Sequence, residues 1–586
     1  MKLADALVRV LRDLGLRYLF GVSGANVEHL HDAVHRLGGN DFISILAKTE
    51  IGAAFMADCR ARVHKSLGVC CATSGGGMLN LAVGIAESYS EGIPVLALVG
   101  QPPLNLEGRG AFQDSSGRGD MVDSVLLWRS ISKYVGKITE AADFWPMLRA
   151  ALVSALSGRR GPAVLLLPRD VYEYEVGEPP DDWPTALASF ARTQVVSESE
   201  LAALLALIRS ARRPVFIVGA GVGHSPGTAA ALRALAGKLR VPVVTTMSSR
   251  GEFSDDDPLY LGMIGAAGHP SAHSYLRDQA DVIIALGTTL DVMTRTPIEH
   301  SFRFKRFAVI DVEVDAVQRV VKAEVALQAD LGDALRALLR LEERDPIPAF
   351  PPVVGYQRHY YAPRAAPELP GEQPPAESDT LLQSEALSAL AGYLTESGHL
   401  VFDAGNCAAA GLHYVTLPKG SSSTIALGMG GMGYAIAGAI GAQLGSKAGT
   451  RTTVICGDGA FLMLGLEVHT AVELGLPILF VVFNNGMHGM CATRQQLLFD
   501  SRIEAVRYHA VDFSSIARGL GPAEKLWCGV ASTKRELHQR LREYREGSPR
   551  LPGVLDLRLL REEVPPFAPF LGSDAPTLPS TAFASG

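Results

Sequence analysis

An acidic turn and a pair of asparagines close two apolar segments in the last third of the chain. The Gly-Asp-Gly turn 457–459 follows the apolar run 453–456, and Asn-Asn 484–485 ends the run 478–483. A helical pattern lies between them, which predicts a strand–turn–helix–strand unit of a parallel sheet. Ligands bind such sheets at the carboxyl ends of the strands. A carboxylate and a carboxamide there suit Mg²⁺ or Ca²⁺, and the turn glycines let N–H groups approach an anion. The stretch predicts a metal–diphosphate site, with an ordinary tight turn as the alternative.

The elements that must position this site recur along the whole chain. Helical patterns alternate with short apolar runs in residues 1–175, 198–342 and 380–562. This alternation predicts an α/β protein with three doubly wound parallel-sheet domains. Prolines concentrate in 343–379, which predicts an extended linker, and the Pro- and Ser-rich segment 563–586 predicts a mobile tail.

Composition excludes several classes of function. The 586 residues carry a net charge of −7, which gives no electrostatic case for nucleic acid binding. Seven dispersed cysteines indicate a reducing compartment instead of a disulfide scaffold. Charges interrupt the first amphipathic segment, and no apolar run reaches the length of about 18 residues that a membrane span needs. A cytoplasmic protein without membrane segments is expected.

The GDG turn followed by NN at this distance resembles the cofactor signature of thiamine-diphosphate enzymes. Three α/β domains with the signature in the third resemble the acetolactate synthase and pyruvate oxidase branch of that family. The resemblance implies a pyrimidine-binding first domain, a central domain and a diphosphate-binding third domain. It implies that Mg²⁺ is held by the side chains of Asp458 and Asn485 and the main-chain oxygen of Met487. It also implies a homodimer or homotetramer, because the family's cofactor lies between the first domain of one subunit and the third of another.

The segment 48–58 resembles the family's stretch around the activating glutamate, which hydrogen-bonds N1′ of the cofactor. Glu50 falls on that glutamate, and Thr49 stands where a His is usual. The alternative is that Glu50 is an ordinary glutamate interacting with a helix dipole.

Other third-domain segments resemble the family's cofactor contacts. The turn 403–407 resembles the first diphosphate-binding turn. In the loop 428–433, Met432 would support the bent cofactor and the Gly430 carbonyl would accept from its amino group; core packing is the alternative for Met432. The full set of expected cofactor contacts in this domain is Gly405, Asn406, Gly430, Met432, Gly457, Asp458, Gly459, Ala460, Asn485 and Met490.

Four residues of the first domain are compared with the family's substrate side. Phe112 and Gln113 match a segment that lines the substrate side of the cofactor in acetolactate synthases, so both are expected in catalysis with Glu50. Ala25 occupies a pocket position where decarboxylases often carry an acidic or hydroxyl group, and its methyl group favours ligation over simple aldehyde release. Lys133 lies near the place of a branch lysine, but a surface lysine is the alternative.

The chain departs from the family pattern just after the metal site. Thr493 and Arg494 replace the Gln and Trp of acetolactate synthases. Arg494 would offer a planar charged group for a carboxylate or phosphate in the substrate pocket; the alternative is exposure to solvent or pairing with Glu504 or Asp500. His488 is either a pocket acid–base group or a structural polar residue.

The central domain carries partial flavin signals. Segments 219–223, 261–265 and 311–313 resemble flavin contacts of the branch, whereas in 287–291 the usual first Arg is replaced by Thr289. FAD and a cofactor-free domain both remain open.

Together these features predict a carboligase, a lyase and transferase that decarboxylates a 2-oxo acid and transfers the acyl unit to a second carbonyl compound. Pyruvate is the expected donor. The alternatives are a non-ligating 2-oxo acid decarboxylase and a flavin-dependent pyruvate oxidase.

Overall fold

The computed structural model describes most of the chain: residues 1–366, 380–559, 562–571 and 575–579. Contacts between residues divide the chain into two compact units. The first unit comprises residues 1–193 and 426–444, and the second comprises 194–425 and 445–586.

A six-stranded parallel sheet forms the centre of the first unit, in the order β2-β1-β3-β4-β6-β5. Its strands are β1 Tyr18–Gly21, β2 Ile43–Leu46, β3 Gly68–Ala72, β4 Val95–Gln101, β5 Tyr134–Lys137 and β6 Ala163–Pro168. Its helices are α1 Leu3–Asp13, α2 Glu28–Leu37, α3 Glu50–His64, α4 Gly76–Glu91, α5 Ser124–Ile131 and α6 Phe144–Leu156. Strands β3, β4 and β6 are buried throughout, as expected for a parallel sheet covered on both faces.

The second unit begins with a second six-stranded parallel sheet, in the order β12-β11-β10-β7-β8-β9. Its strands are β7 Pro214–Val218, β8 Val243–Thr245, β9 Tyr260–Met263, β10 Val282–Leu286, β11 Arg306–Asp311 and β12 Val325–Gln328. Its helices are α7 Glu198–Ser210, α8 Thr228–Leu239, α9 Pro270–Asp278, α10 Val292–Arg295, α11 Glu299–Phe302, α12 Val314–Gln318 and α13 Leu331–Arg344. Separate apolar clusters cover its two faces, which accounts for the nearly continuous apolar runs of its inner strands.

The segment between the second and third sheets contributes two short strands, β13 His359–Tyr361 and β14 Arg364–Ala365. The third sheet is again parallel and six-stranded, in the order β16-β15-β17-β18-β20-β19. Its strands are β15 His399–Phe402, β16 Ser422–Ile425, β17 Thr452–Gly457, β18 Ile478–Asn484, β19 Trp527–Ala531 and β20 Gly553–Arg558. The helices of this part of the chain are α14 Gln383–Ala391, α15 Asn406–Tyr414, α16 Tyr434–Gln443, α17 Asp458–Leu464, α18 Val468–Glu473, α19 Gly489–Leu498, α20 Phe513–Arg518 and α21 Lys534–Gly547.

Two further strands follow the third sheet, in the region predicted to be a mobile tail. β21 Glu563–Val564 pairs with β14, and β22 Thr577–Pro579 pairs with β13, both antiparallel. The part of the predicted linker from 367 to 379 and the chain end from 580 lie outside the described residues.

Three parallel six-stranded sheets flanked by helices confirm the predicted fold class. No helix within the described residues has the length and apolar character needed to cross a membrane. All seven cysteines lie in described residues and are free thiols.

Candidate active site

The third sheet places Asp458 and Asn485 next to each other. Gly457 at the end of β17 is in register with Phe483 of β18, so both turns leave the same edge of the sheet. Oδ2 of Asp458 accepts hydrogen bonds from the backbone N of Asn485 at 3.0 Å and of Gly486 at 2.7 Å. Burial raises the pKa of the Asp458 carboxyl, and these N–H groups counteract part of that shift. The tertiary fold therefore joins the two motifs that the sequence separates by 27 positions.

Glu562 is a third polar group at this edge, and sequence reasoning missed it. Its Oε1 accepts a hydrogen bond from Nδ2 of Asn485 at 2.6 Å, and its Oε2 accepts one from Nδ2 of Asn406 at 3.3 Å. Burial raises the pKa of Glu562 to about 7, against the effect of the two amide donors. Its position just beyond the carboxyl end of β20 is the signal that could have identified it.

Asn406, the first residue of α15, connects the turn after β15 to α19. Its Nδ2 also donates to the hydroxyl of the buried Thr493 at 3.2 Å. Gly405 precedes it with φ of 100°, a conformation that favours glycine. Thr493, which stands where acetolactate synthases have Gln, therefore supplies a hydroxyl acceptor in this network.

The residues present fit Mg²⁺ and a diphosphate. Among the described residues, no group of three or more His, Cys, Asp or Glu side chains could hold a metal. A cation here would instead take one carboxylate, one amide oxygen and one main-chain carbonyl, with phosphate and water completing the shell, as is usual for Mg²⁺. One buried atom, Oδ1 of Asn406, has no hydrogen-bond partner within the described residues and can serve such a ligand.

The chain beyond the asparagine pair returns beside it. His488 donates its backbone N–H to Val506 O at 2.8 Å, and its half-buried ring packs edge-on against Tyr508 at 5.7 Å. Burial and the neighbouring Asp458 carboxylate raise the pKa of Tyr508. Tyr508 is thus a further pocket residue that the motifs did not indicate.

The remaining side chains of this turn differ in exposure. Asn484 is buried and donates to Val511 O and to Oδ1 of Asp556, both at 2.9 Å, so it orients the turn. Met487, Gly489 and Met490 are half-buried.

Arg494 is exposed on α19. Neither of its suggested partners pairs with it in the described chain. Asp500 pairs with Arg502 at 3.0 Å, and the backbone N of Glu504 donates to Gln495. The cationic group of Arg494 is therefore accessible to a ligand.

The first sheet presents Glu50 at its own carboxyl edge. Glu50 begins α3 directly after Thr49, whose hydroxyl caps the helix by accepting from Gly52 N at 3.0 Å. Nδ2 of Asn80 donates to Oε2 of Glu50 at 3.1 Å. A Cβ at Gly77 would lie 3.0 Å from Oε1, so a side chain at position 77 would crowd that oxygen. The carboxyl group is half-buried in one defined orientation.

Gln113 lies near the same edge, whereas Phe112 extends into solvent. Gln113 adopts a φ of 58°, and a Cβ at Gly75 would lie 2.9 Å from its Cβ. The side chain of Phe112 is 84% exposed, and Ala25 is also exposed. Lys133 is engaged elsewhere: its Nζ donates to the carbonyl oxygens of Ser154, Ser157 and Arg159 at the end of α6.

The glycine-rich loop 428–433 belongs to the first unit and leads into α16. Gly430 has φ of 66° and Gly433 has φ of 87°, both in the left-handed region that glycine tolerates. Met432 is half-buried between them.

In the central sheet, the turns after β7 and β10 touch at the point where the strand order reverses. Gly221 N donates to Gly287 O at 2.9 Å. Thr289, in the place of the usual Arg, is exposed. FAD in this domain remains a prediction.

Family comparisons agree with the fold. Residues 1–121 match the thiamine pyrophosphate enzyme N-terminal TPP binding domain, residues 201–338 the central domain, and residues 403–552 the C-terminal TPP binding domain. The chain therefore belongs to the thiamine pyrophosphate enzyme family.

Within that family the protein is acetolactate synthase-like. It is 30% identical to the probable acetolactate synthase large subunit of Methanocaldococcus jannaschii over 89% of this chain and 86% of that protein. It is 28% identical to the acetolactate synthase isozyme 1 large subunit of Escherichia coli, over 88% of each chain. The acetolactate synthase large subunit of Lactococcus lactis is 30% identical over 85% of this chain and 83% of that protein.

Proposed function

We propose that the enzyme decarboxylates pyruvate and transfers the acetyl unit to a second carbonyl compound. The observation that supports this most directly is the pairing of Asp458 with Asn485 at one sheet edge, in a chain that also holds an oriented Glu50 at another. In the overall reaction, pyruvate, the acceptor carbonyl and one proton give a hydroxyketone and CO₂. The new C–C bond replaces the bond to the lost carboxylate.

The chain's residues hold the reactants and exchange protons. Thiamine diphosphate, when bound, would supply a nucleophilic carbon and an electron sink for the decarboxylation. The Glu50 carboxyl group would exchange a proton at ring N1′. Asp458, Asn485 and the Met487 carbonyl would hold Mg²⁺, with Met432 supporting the cofactor.

Residues 1–175 would form the pyrimidine-binding domain, and residues 380–562 would form the diphosphate-binding domain. The remaining expected contacts, at Gly405, Asn406, Gly430, Gly457, Gly459, Ala460 and Met490, belong to the same proposal.

An anionic acceptor is favoured by Arg494. Its guanidinium is accessible and follows the buried Thr493 on α19, where the family's bulky pair is missing. A guanidinium binds a carboxylate or phosphate through two parallel hydrogen bonds. Phe112, Gln113, Ala25 and His488 would form the rest of the substrate pocket.

We also propose that the protein is a homo-oligomer in the cytoplasm. Exposed apolar residues lie one turn apart on α4, at Leu79 and Val83, and in the segment from α17 onward, at Leu462 and Leu466. Apolar side chains grouped in this way are typical of interfaces. A second copy as partner agrees with the family arrangement, in which two subunits complete each cofactor site.

Mass spectrometry of products tests the reaction. The purified protein with thiamine diphosphate, Mg²⁺ and pyruvate is offered a panel of aldehydes, ketones and 2-oxo acids. We expect an acceptor mass increased by one acetyl unit and one hydrogen. Free acetaldehyde with every acceptor would indicate a decarboxylase, and oxygen-dependent acetate formation with a flavin absorption band would indicate an oxidase. The same spectrum tests FAD in the central domain.

Glu50→Gln is expected to lower turnover by at least about 10²-fold, because the amide cannot exchange the proton at N1′. Binding of the cofactor, measured by calorimetry, should persist. Glu28→Gln is the matched control, since Glu28 is also the first residue of a helix that flanks the first sheet. A Glu50→Gln enzyme with normal turnover would refute the mechanism.

A further inference from the structure

A buried carboxylate lies beneath the loop 428–433. Glu87, on α4, is 1% exposed. Its Oε1 accepts a hydrogen bond from Gly428 N at 3.0 Å, and its Oε2 accepts from Met429 N at 2.6 Å and Gly430 N at 3.2 Å. Three consecutive backbone N–H groups therefore converge on one side chain.

A guanidinium that is shared with two other carboxylates lies beside Glu87. The guanidinium of Arg62 lies 3.5 Å from Oε1 of Glu87, 2.6 Å from Asp58 and 3.3 Å from Glu91. Buried charges persist in proteins when they are paired and hydrogen-bonded. Glu87 meets both conditions, since it pairs with Arg62 and accepts backbone hydrogen bonds at both of its oxygens.

The same network reaches the helix that begins at Glu50. Asp58 lies two turns further along α3 and accepts hydrogen bonds from the hydroxyls of Tyr434 at 2.6 Å and Ser88 at 2.7 Å. Tyr434 is the first residue of α16, directly after the loop. Charged and polar groups thus connect α3, α4 and both ends of the loop within the first unit.

We propose that Glu87 is a positioning residue that holds the loop 428–433 in its cofactor-binding conformation. The loop contains four glycines, which leave its backbone with many accessible conformations unless N–H groups are anchored. Glu87 acts through that backbone and touches no reacting atom. The inference rests on the proposed function insofar as Gly430 and Met432 are cofactor contacts.

Glu87→Gln is the informative variant because it keeps the shape and removes one acceptor. With both oxygens accepting N–H groups, the amide nitrogen must face at least one donor. We expect the dissociation constant of thiamine diphosphate to rise by at least about tenfold, as for the loss of one charged hydrogen-bond partner.

Glu91→Gln is the matched control. Glu91 lies one turn further along α4 and pairs with the same Arg62. The affinity of the Glu91→Gln variant for the cofactor should stay within about twofold of the wild type. If any loss of an ion pair with Arg62 weakened binding, both variants would be affected. Calorimetric titration of the full-length protein in Mg²⁺ measures both. Equal affinities of Glu87→Gln and wild type would overturn the proposal.

Hydrogen exchange of the cofactor-free wild type tests the anchor independently of any variant's folding. The amides of 428–430 should exchange slowly, and exchange as fast as in the exposed segment 117–121 would also overturn the proposal. A wild-type protein that binds no thiamine diphosphate would refute the proposed function, while the exchange result would still decide whether Glu87 anchors the loop.

Discussion

At the residue scale, two adjacent glutamates that leave the third sheet take opposite roles. Glu562 accepts from Asn485 and Asn406, whereas Glu563 accepts from the N–H and hydroxyl of Ser384 at the start of α14. Neighbouring side chains in extended backbone point in opposite directions. Glu562 therefore reaches the site, and Glu563 binds the start of α14. Sequence position alone does not distinguish them.

Phe112 is exposed to an extent that packing within one chain does not explain. Phe112→Ala should leave the thermal midpoint unchanged, because a side chain that is 84% exposed contributes at most about 0.5 kcal/mol to folding. If it lines the substrate side of the cofactor, kcat/KM for ligation should fall by about tenfold or more, as for loss of an apolar pocket contact.

Phe304→Ala is the control for this prediction, since Phe304 is also a largely exposed phenylalanine in a region without expected substrate contacts. Unchanged kcat/KM in Phe112→Ala would remove Phe112 from the proposed site.

At the element scale, α16 packs closely against α3 at two glycines. A Cβ at Gly441 would lie 2.0 Å from the carbonyl oxygen of Met56, and one at Gly438 would lie 3.0 Å from Cβ of Cys59. The close approach of these helices places residues 426–444 in the first unit, although in the sequence they lie between β16 and β17 of the third sheet. The sequence pattern assigns the segment to the third domain because it lies between that domain's strands.

Gly441→Ala should destabilise the protein by about 1–3 kcal/mol, because the new methyl group meets rigid backbone. Gly237→Ala is the matched helix control: its Cβ would meet nothing within 4 Å, so the change should stabilise by up to about 1 kcal/mol. Thermal unfolding of both variants measures whether each change lowers or raises the stability. Similar midpoints for both would contradict the close helix contact.

At the scale of the whole molecule, buried histidines join the central and third sheets within the second unit. Nε2 of His269 lies 3.0 Å from His413 O, and Nδ1 of His413 lies 3.2 Å from Ala267 O. The rings of His269 and His413 stack at 5.0 Å. Each ring also accepts a backbone N–H, from Met263 and Tyr361 respectively, which requires the neutral form.

Stability should therefore fall in acid. Burial lowers the pKa of His413 to about 3 and of His273 to about 4, and lowers that of His269 as well. Above the unfolded pKa of about 6.5, folded and unfolded states are both neutral and the stability is complete. Below it only the unfolded state binds protons, so each histidine costs about 1.4 kcal/mol per pH unit until the folded pKa is reached.

The pH dependence of the unfolding midpoint between neutral pH and pH about 5 measures this effect. His413→Gln should reduce the slope by about one proton, whereas substitution of the exposed His300 should leave it unchanged. An identical slope in His413→Gln and the wild type would contradict the neutral, buried state.

Assembly is the second property of the whole molecule. Light scattering should show a dimer or tetramer, and Leu466→Glu should shift it toward smaller species, because a charge at an apolar interface is left unpaired on association. Val195→Glu, at a position that is 95% exposed, is the control. A fully active wild-type monomer would contradict the shared cofactor site.

The sequence by itself determined the local features. These are the three regions in which apolar strands alternate with amphipathic helices, and the turns that carry Asp458, Asn485 and Glu50. These follow from short-range periodicity and from the residue types that metals and turns require. Only the tertiary structure decided which distant groups meet, as Glu562 meets Asn485 and Glu87 meets the loop 428–433. Those contacts depend on the path of the chain after β20 and on the packing of α16 against α3, which no local pattern encodes.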